Sequence, residues 1–281
     1  MTPEREPETV DEAARWTGLA ADYEELAEPF TRQYARAAWD MAGARAGIGP
    51  GARVLDVAAG TGALSLIAAE AGAEVMATDI SPGMAARLGQ RLKAYPGCAA
   101  RVMDGQALDV PDGGFDAAFS VFGVMLFPDW RRGLRELGRA VRAGGQGCVA
   151  VWQGASGAGP MVLLVEALRD AFPDKAPPAM PEGMAALTQP GAFVREMEAA
   201  GFQDVAVQTA EGAWTWPSAD GLADAAGAAD RLFRFAPDYA GLDGEARARL
   251  RPALRRAAGR YADGDGVRVP SSALVAVGRR G

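Results

Sequence analysis

The chain has no histidine among its 281 residues. That absence removes the side chain that most often serves as a general base near neutral pH, so a proton taken from an oxygen acceptor must pass to a carboxylate, a tyrosine or water. Cysteine is nearly as scarce. Cys98 and Cys148 stand far apart without CxxC spacing, and they read as buried free thiols rather than as metal ligands or a redox pair. No acidic triad has a convincing metal-binding spacing. Long apolar runs are missing too: the longest nearly unbroken one, Val121 to Phe127, falls far short of the ~20 residues a helix needs to cross a bilayer. The start, MTPEREPE, is acidic where a secretory signal would be basic and then apolar, so a cytoplasmic address with no membrane partner is expected. An excess of basic residues is also lacking. The 29 Lys+Arg against 36 Asp+Glu give a net charge of -7 with no long block of either sign, which disfavours a nucleic-acid partner.

What is present suffices for one large domain with insertions. From Glu12 to Glu28 the residues Trp16, Leu19, Tyr23 and Leu26 recur at three- and four-residue steps, giving a helical stripe that Pro29 is expected to end. A second stripe, Phe30, Tyr34, Ala37, Ala38 and Met41, runs to a helix-stopping turn at Gly47 to Gly51. Strands and helices then alternate: strands over 53–57, 74–78, 99–103, 115–121 and 146–152, helices over 63–71, 82–93 and 130–141, with a turn at Gly144-Gly145. Such alternation predicts an α/β fold with a mostly parallel sheet and helices on both faces. The pattern loosens over 154–189, returns with a helix over 192–200 and a strand over 204–209, and loosens again over 212–262, where an alanine- and charge-rich stretch reads as helical. Val267 to Val269 and Ala273 to Val277 supply the closing strand region. Residues 1–46 thus read as an N-terminal helical lid and 47–281 as the sheet domain, with 154–189 and 212–262 as substrate-cap insertions.

Chemistry concentrates at the first two strand ends. Residues 54–62, VLDVAAGTG, set an apolar strand against Asp56 and a glycine turn, and the second strand ends in Asp79, 23 residues after Asp56. Glycines let backbone amides approach a ligand closely, and an acid at the second strand tip accepts both ribose hydroxyls of a nucleoside. A carboxylate at Asp56 would repel a pyrophosphate, whereas the sulfonium and ammonium of S-adenosylmethionine are favoured beside it, directly or through water.

These residues resemble a class I S-adenosylmethionine-dependent methyltransferase, in particular the UbiE-like group of small-molecule and natural-product enzymes. The matching segments are 54–62, ATDISPGM at 77–84, MDG at 103–105, PDGGFD at 111–116, SVFGVMLFPDW at 120–130 and RAVRAGG at 139–145. The resemblance implies a Rossmann-like sheet of seven strands and a role for each matching residue. Asp56, Ala58, Gly60, Thr61 and Gly62 would lie beneath the methionine part of the cofactor, with Asp79 on its ribose. Ile80 and Met84 would wall the adenine, Asp104 would accept from its amino group, and Gly105 would leave an amide for its ring nitrogens. Ser120 and Phe122 would pass the methionine ammonium and the transferred methyl, while Tyr23 and Tyr34 match N-terminal aromatic positions that cover the cofactor. The implied reaction is in-line displacement onto a small organic acceptor, releasing S-adenosylhomocysteine. No catalytic residue is assigned, and either a monomer or a homodimer is compatible with this reading.

Plainer roles stand beside these. Asp79 is placed to cap a helix starting at Ser81-Pro82, Asp104 to cap a turn, and an aromatic stripe at helical spacing is more often core than lid. Phe122, Trp130, Trp152, Trp214 and Trp216 are candidates for the sulfonium wall or acceptor pocket, with core packing as the plainer role of each. Trp214, Trp216, Leu232, Phe233, Phe235 and Tyr239 give the second insertion a composition suited to an apolar or aromatic molecule. A nucleotide-linked oxidoreductase is opposed by Asp56 and by Ser65 at the place of a third fingerprint glycine. A DNA amino-methyltransferase is opposed by Ser120-Val-Phe-Gly123, which lacks a proline-tyrosine clamp for a flipped base, and an RNA substrate by the acidic balance. A methyltransferase acting on a peptide, or a cofactor-binding module without catalysis, would fit the same motifs.

Overall fold

A computed structural model describes residues 11–46, 48–154, 157–223 and 228–281. Its strands are β1 (Arg53–Val57), β2 (Glu74–Asp79), β3 (Ala99–Val102), β4 (Phe115–Val121), β5 (Val141–Trp152), β6 (Phe202–Trp216), β7 (Ala262–Asp263) and β8 (Gly266–Arg280). They form one sheet in the order β3-β2-β1-β4-β5-β8-β6, with the two-residue β7 pairing β8. Pairings from β3 through β5 are parallel, and β8 is antiparallel to both β5 and β6. The order reverses between β1 and β4, and ligands of open α/β sheets bind in the crevice at such a switch point, outside the carboxyl ends of the strands.

β1 is buried from Val54 onward because helices cover both faces, so it reads as a continuous apolar run and not as an alternating one. Its single polar exception, Asp56, is 2% exposed. Two large apolar clusters fill the two sides of the sheet, one containing Leu55, Val57, Phe122 and Trp130, the other Val54, Leu64, Ile67 and Phe119.

Several expectations need correcting. Pro29 does not end the first helix: α-helix over Glu12–Asp22 continues through a π-helical turn, Tyr23–Ala27, into a helix over Glu28–Ala46. The Glu28 N–H donates to the Tyr23 carbonyl, and this wider turn places Pro29 second in the following helix, where a missing N–H costs little. The glycine turn expected before β5 is a bulge inside it, since the β4 register jumps from Phe115–Val141 to Ala117–Gln146. β6 runs on to Trp216, so residues 212–216 belong to the sheet and not to a helical insertion. β8 is continuous through Pro270, at which it bonds to β6 alone, so the absent N–H interrupts no second ladder. With β7 the sheet has eight strands where seven were expected.

Candidate functional site

The turn after β1 is held in a shape that ordinary residues adopt rarely. Ala58, Gly60 and Gly62 have φ of 57°, 57° and 114°, so three of five successive residues lie in the left-handed region. The Gly62 N–H donates to the Ala59 carbonyl and the Ala59 N–H to that of Thr78, tying the turn to the end of β2. A helix over Ala63–Glu70 follows at once, with its positive end toward the turn.

Asp79 links this turn to the next. One carboxylate oxygen accepts from the Gly60 N–H at 2.8 Å and the other from the Ser81 N–H at 2.9 Å. Burial raises its pKa, and the two amide bonds partly offset that rise. The helix over Pro82–Leu92 is capped by the Ser81 hydroxyl, which accepts from the Met84 N–H, so the plainer reading of Asp79 as a cap gives way to a bridge between two turns. Each carboxylate oxygen keeps a second lone pair, enough to accept a ligand hydroxyl. Ile80, beside it, is 39% exposed, an apolar side chain left outside the core next to a buried acid.

Asp56 behaves differently from what its position suggested. Its carboxylate accepts from the Ser65 hydroxyl at 2.6 Å and from the Ser65 backbone N–H, so it is committed to the first turn of the following helix. Burial pushes its pKa up to about 7, with the charge of Asp79 adding to the rise. It supports the turn from behind.

The N-terminal helix lies across the front. Tyr23, in the π-helical turn, sets its ring 3.4 Å from where a Gly60 Cβ would stand. Its phenol is pushed up to about 12, first by burial and further by the charges of Glu28, Asp79 and Asp56. Thr17 bonds the Ser81 hydroxyl at 3.0 Å and accepts from the Gly83 N–H at 3.2 Å, while Asp22 pairs with Arg231 and Arg234 at 2.7 and 2.8 Å. Trp16, Tyr23 and Phe235 pack as one aromatic group, joining this helix to the C-terminal insertion. A Gly60→Val variant places a β-branched residue at positive φ under the Tyr23 ring. It should lower stability by roughly 1–3 kcal/mol, read as a drop in melting temperature.

On the far side of the switch point, Phe122 follows β4 at a φ of 63° and stacks on Trp152 with ring centroids 3.6 Å apart. Phe30 stacks on the same tryptophan at 5.2 Å. Ser120 is buried and accepts from the Val124 N–H at 3.0 Å.

Other expected site residues are placed elsewhere or otherwise occupied. Tyr34 is fully buried among Phe30, Phe122 and Trp152, with its hydroxyl bonded to Ser271, and is therefore core and not cover. Met84 is 2% exposed, on the inward side of its helix. Asp104 accepts from the backbone and side-chain amides of Gln106, the turn cap named as its plainer role. Gly105 is required by packing, since a Cβ there would stand 2.6 Å from the Phe127 ring. Trp130, Trp214, Leu232, Phe233 and Tyr239 are each 3% exposed or less within the main core, whereas Trp216 and Phe235 are half-buried at its edge. Residues 155–156 and 224–227 of the expected insertions lie outside the described residues. The sequence reading missed Thr17, Glu28, Ser65 and Arg91. Their partners stand 9 to 66 residues away, and no local motif announces them.

Among the described residues no group of three or more acidic or cysteine side chains could hold a metal ion, and no helix is long and apolar enough to cross a membrane.

Comparison with known proteins points the same way as this geometry. Residues 54–145 match a family model described as a methyltransferase domain. An uncharacterized protein of Mycobacterium tuberculosis is 36% identical over 180 residues, covering 63% of this chain and 64% of that protein. The chain thus spans under two thirds of that relative's length. The demethylmenaquinone methyltransferase of Beutenbergia cavernae is 39% identical over 140 residues, covering 50% of this chain and 55% of that enzyme. The crystal structure of a putative methyltransferase from Bacillus halodurans shares the fold with a TM-score of 0.52 at 14% identity, over 84% of this chain and 96% of that one. Residues 54–145 thus match a methyltransferase domain, and they lie in a sheet whose fold is shared with solved methyltransferase structures.

Proposed function

We propose that this chain transfers a methyl group from S-adenosylmethionine to a small organic acceptor and releases S-adenosylhomocysteine. The observation that carries this reading is the Asp79 carboxylate at the tip of β2, bonded to the Gly60 and Ser81 amides with lone pairs to spare for ribose hydroxyls. The residues around it fit such a cofactor. Glu28, Asp79 and Asp56 all raise the Tyr23 phenol's affinity for its proton, and the field that does so favours a cationic ligand over a diphosphate. Exposed Ile80 offers an apolar surface for a purine ring next to that acid.

When bound, S-adenosylmethionine supplies a methyl group already activated by the sulfonium. The protein's contribution is then mainly to hold two reactants in line and to exclude water, which accounts for rate without a strong base. That fits a chain with no histidine. We assign the binding residues to Tyr23, the 58–62 turn, Asp79 and Ile80, and the acceptor wall to Phe122 and Trp152, whose stacked rings lie at the carboxyl ends of β4 and β5. The helices of residues 11–46 and the C-terminal insertion serve as the cover over that crevice. An apolar or aromatic acceptor suits a wall of stacked rings. The methyltransferase-named relative adds a small-molecule precedent.

The test is a methyl-transfer assay with labelled cofactor against a panel of phenols, amines, carboxylic acids and thiols. Transfer to one member supports the reading, and transfer only to protein or RNA would replace it. With the acceptor in hand, Trp152→Leu should raise its KM by roughly tenfold, an aromatic contact of about 1 kcal/mol or slightly more, and leave S-adenosylhomocysteine affinity within twofold. An unchanged KM would move the acceptor away from this wall.

A further inference from the structure

Glu28 is 4% exposed and reaches the glycine turn from the N-terminal helix. It accepts from the Thr61 hydroxyl and forms a two-armed ion pair with Arg91, Nη1 to Oε2 at 2.5 Å and Nη2 to Oε1 at 2.8 Å. Arg91 closes the triangle by donating from Nη1 to the Thr61 carbonyl at 2.8 Å. Thr61 therefore has its hydroxyl and its carbonyl both held by this one pair. It is also fully buried and lies between Gly60 and Gly62, the two left-handed glycines of the turn.

Glycines make that turn possible without making it unique, because each has wide conformational freedom. Something outside the turn must select the shape. The π-helical turn supplies it: its first residue, Tyr23, lies over Gly60, and Glu28, immediately after its last residue, reaches Thr61. A regular α-helix through this segment would rotate one contact away from the other.

We infer that Glu28 is a positioning residue for the cofactor turn, acting with Arg91 to set the backbone of Gly60-Thr61-Gly62, so that docking of the N-terminal helix and affinity for the cofactor are coupled. The inference rests on the function proposed above. It assigns the pair a role distinct from anchoring, because the same helix is anchored a turn earlier by a second pair. Glu24 and Arg87 meet at 2.6 Å, exposed, with no bond to the turn.

That second pair provides the control. Calorimetric titration with S-adenosylhomocysteine, at a temperature well below every melting point, is carried out on the wild type and on Glu28→Gln, Arg91→Gln, their double variant and Glu24→Gln. We expect wild-type binding, a roughly tenfold weaker Kd for Glu28→Gln and for Arg91→Gln, and a double variant weaker by much less than the product of the two. Glu24→Gln should stay within twofold of wild type. A Glu28→Gln affinity no different from that of Glu24→Gln would overturn the inference, as would losses that multiply in the double variant. If Glu28→Gln does not fold, Arg91→Gln decides by the same criterion. Wild-type protein that binds no S-adenosylhomocysteine would overturn the proposed function and this inference together. Wild-type binding with an unaffected Glu28→Gln would overturn the inference alone.

Discussion

Asp79→Ala should weaken S-adenosylhomocysteine binding by about 1–3 kcal/mol, roughly five- to 150-fold, while lowering the melting temperature only modestly. The two effects separate for a physical reason. Bonds from the Gly60 and Ser81 amides favour the carboxylate, yet burial still raises its pKa, so the ionised acid sits in surroundings that on balance resist its charge. Removing it relieves that cost as well as breaking the two bonds, so stability changes little. Ligand affinity has no such relief, because the lone pairs facing the crevice vanish. Calorimetry and thermal melting of the variant give both numbers. Unchanged affinity would show that the ribose does not bind at the tip of β2, and a collapse of stability with affinity intact would make Asp79 a structural bridge only.

The second large effect is a pH dependence centred on Asp56. Its pKa rises from 3.8 in the unfolded chain to about 7 in the fold, chiefly through burial. An acid with a raised folded pKa binds more protons when folded, so its contribution to stability is present at low pH and is lost as pH rises through about 7. Between pH 5.5 and 7.5 this one group should remove about 2 kcal/mol. The ligand-free protein should accordingly melt several degrees higher at the lower pH. Carboxylates whose pKa values are lowered by arginine partners, Asp116 and Glu136, act in the opposite direction but titrate below this window. Asp56→Asn keeps an acceptor for the Ser65 hydroxyl and removes this titration, so its melting temperature should fall less than that of the wild type over the same range, the raised Asp79 acting in both proteins. A wild type that falls no more than the variant would mean that Asp56 is solvated or paired in a way this structure does not contain. Cofactor affinity should move oppositely, tightening as Asp56 ionises and adds its charge to a site for a cation.

How much of this was legible in the residues depends on the range of the interactions involved. β1, β2 and β4 and their connecting helices were visible within a residue or two, because apolar runs, Gly62 and Ser81-Pro82 are local signals that tertiary packing reinforces. Of β6 only 204–209 was visible, and of β8 only 267–269 and 273–277. Ala210 to Ala213 is poor in strand formers, and the stretch to Trp216 extends the strand by pairing with Val267 to Ala273. Pro29 misled for the opposite reason. A strong local breaker was absorbed by a π-helical turn that depends on the helix docking onto the glycine turn.

At the site, the residues show that Asp56 and Asp79 stand on the first two strands but not which way their carboxylates face. Asp56 faces Ser65, and no spacing rule distinguishes a carboxylate beneath a turn from one above it. Tyr23 and Tyr34 lie on successive helical stripes, yet only Tyr23 reaches the turn, while Tyr34 finds Ser271 from the opposite end of the chain. Of the apolar residues near 214–239, Trp214, Leu232, Phe233 and Tyr239 are buried in the core, whereas Trp216 and Phe235 stay half-buried and Phe235 packs on Tyr23. Composition reports how much apolar surface a segment carries, and only the fold decides which side covers it.

The crevice where β1 and β4 diverge should take a cationic nucleoside and not a diphosphate. The most direct measurement is parallel calorimetric titration of the wild-type protein at pH 7.5 with S-adenosylmethionine and with NADH. Micromolar binding of the first with no heat from the second is the predicted result. Binding of NADH, or of neither, would contradict it.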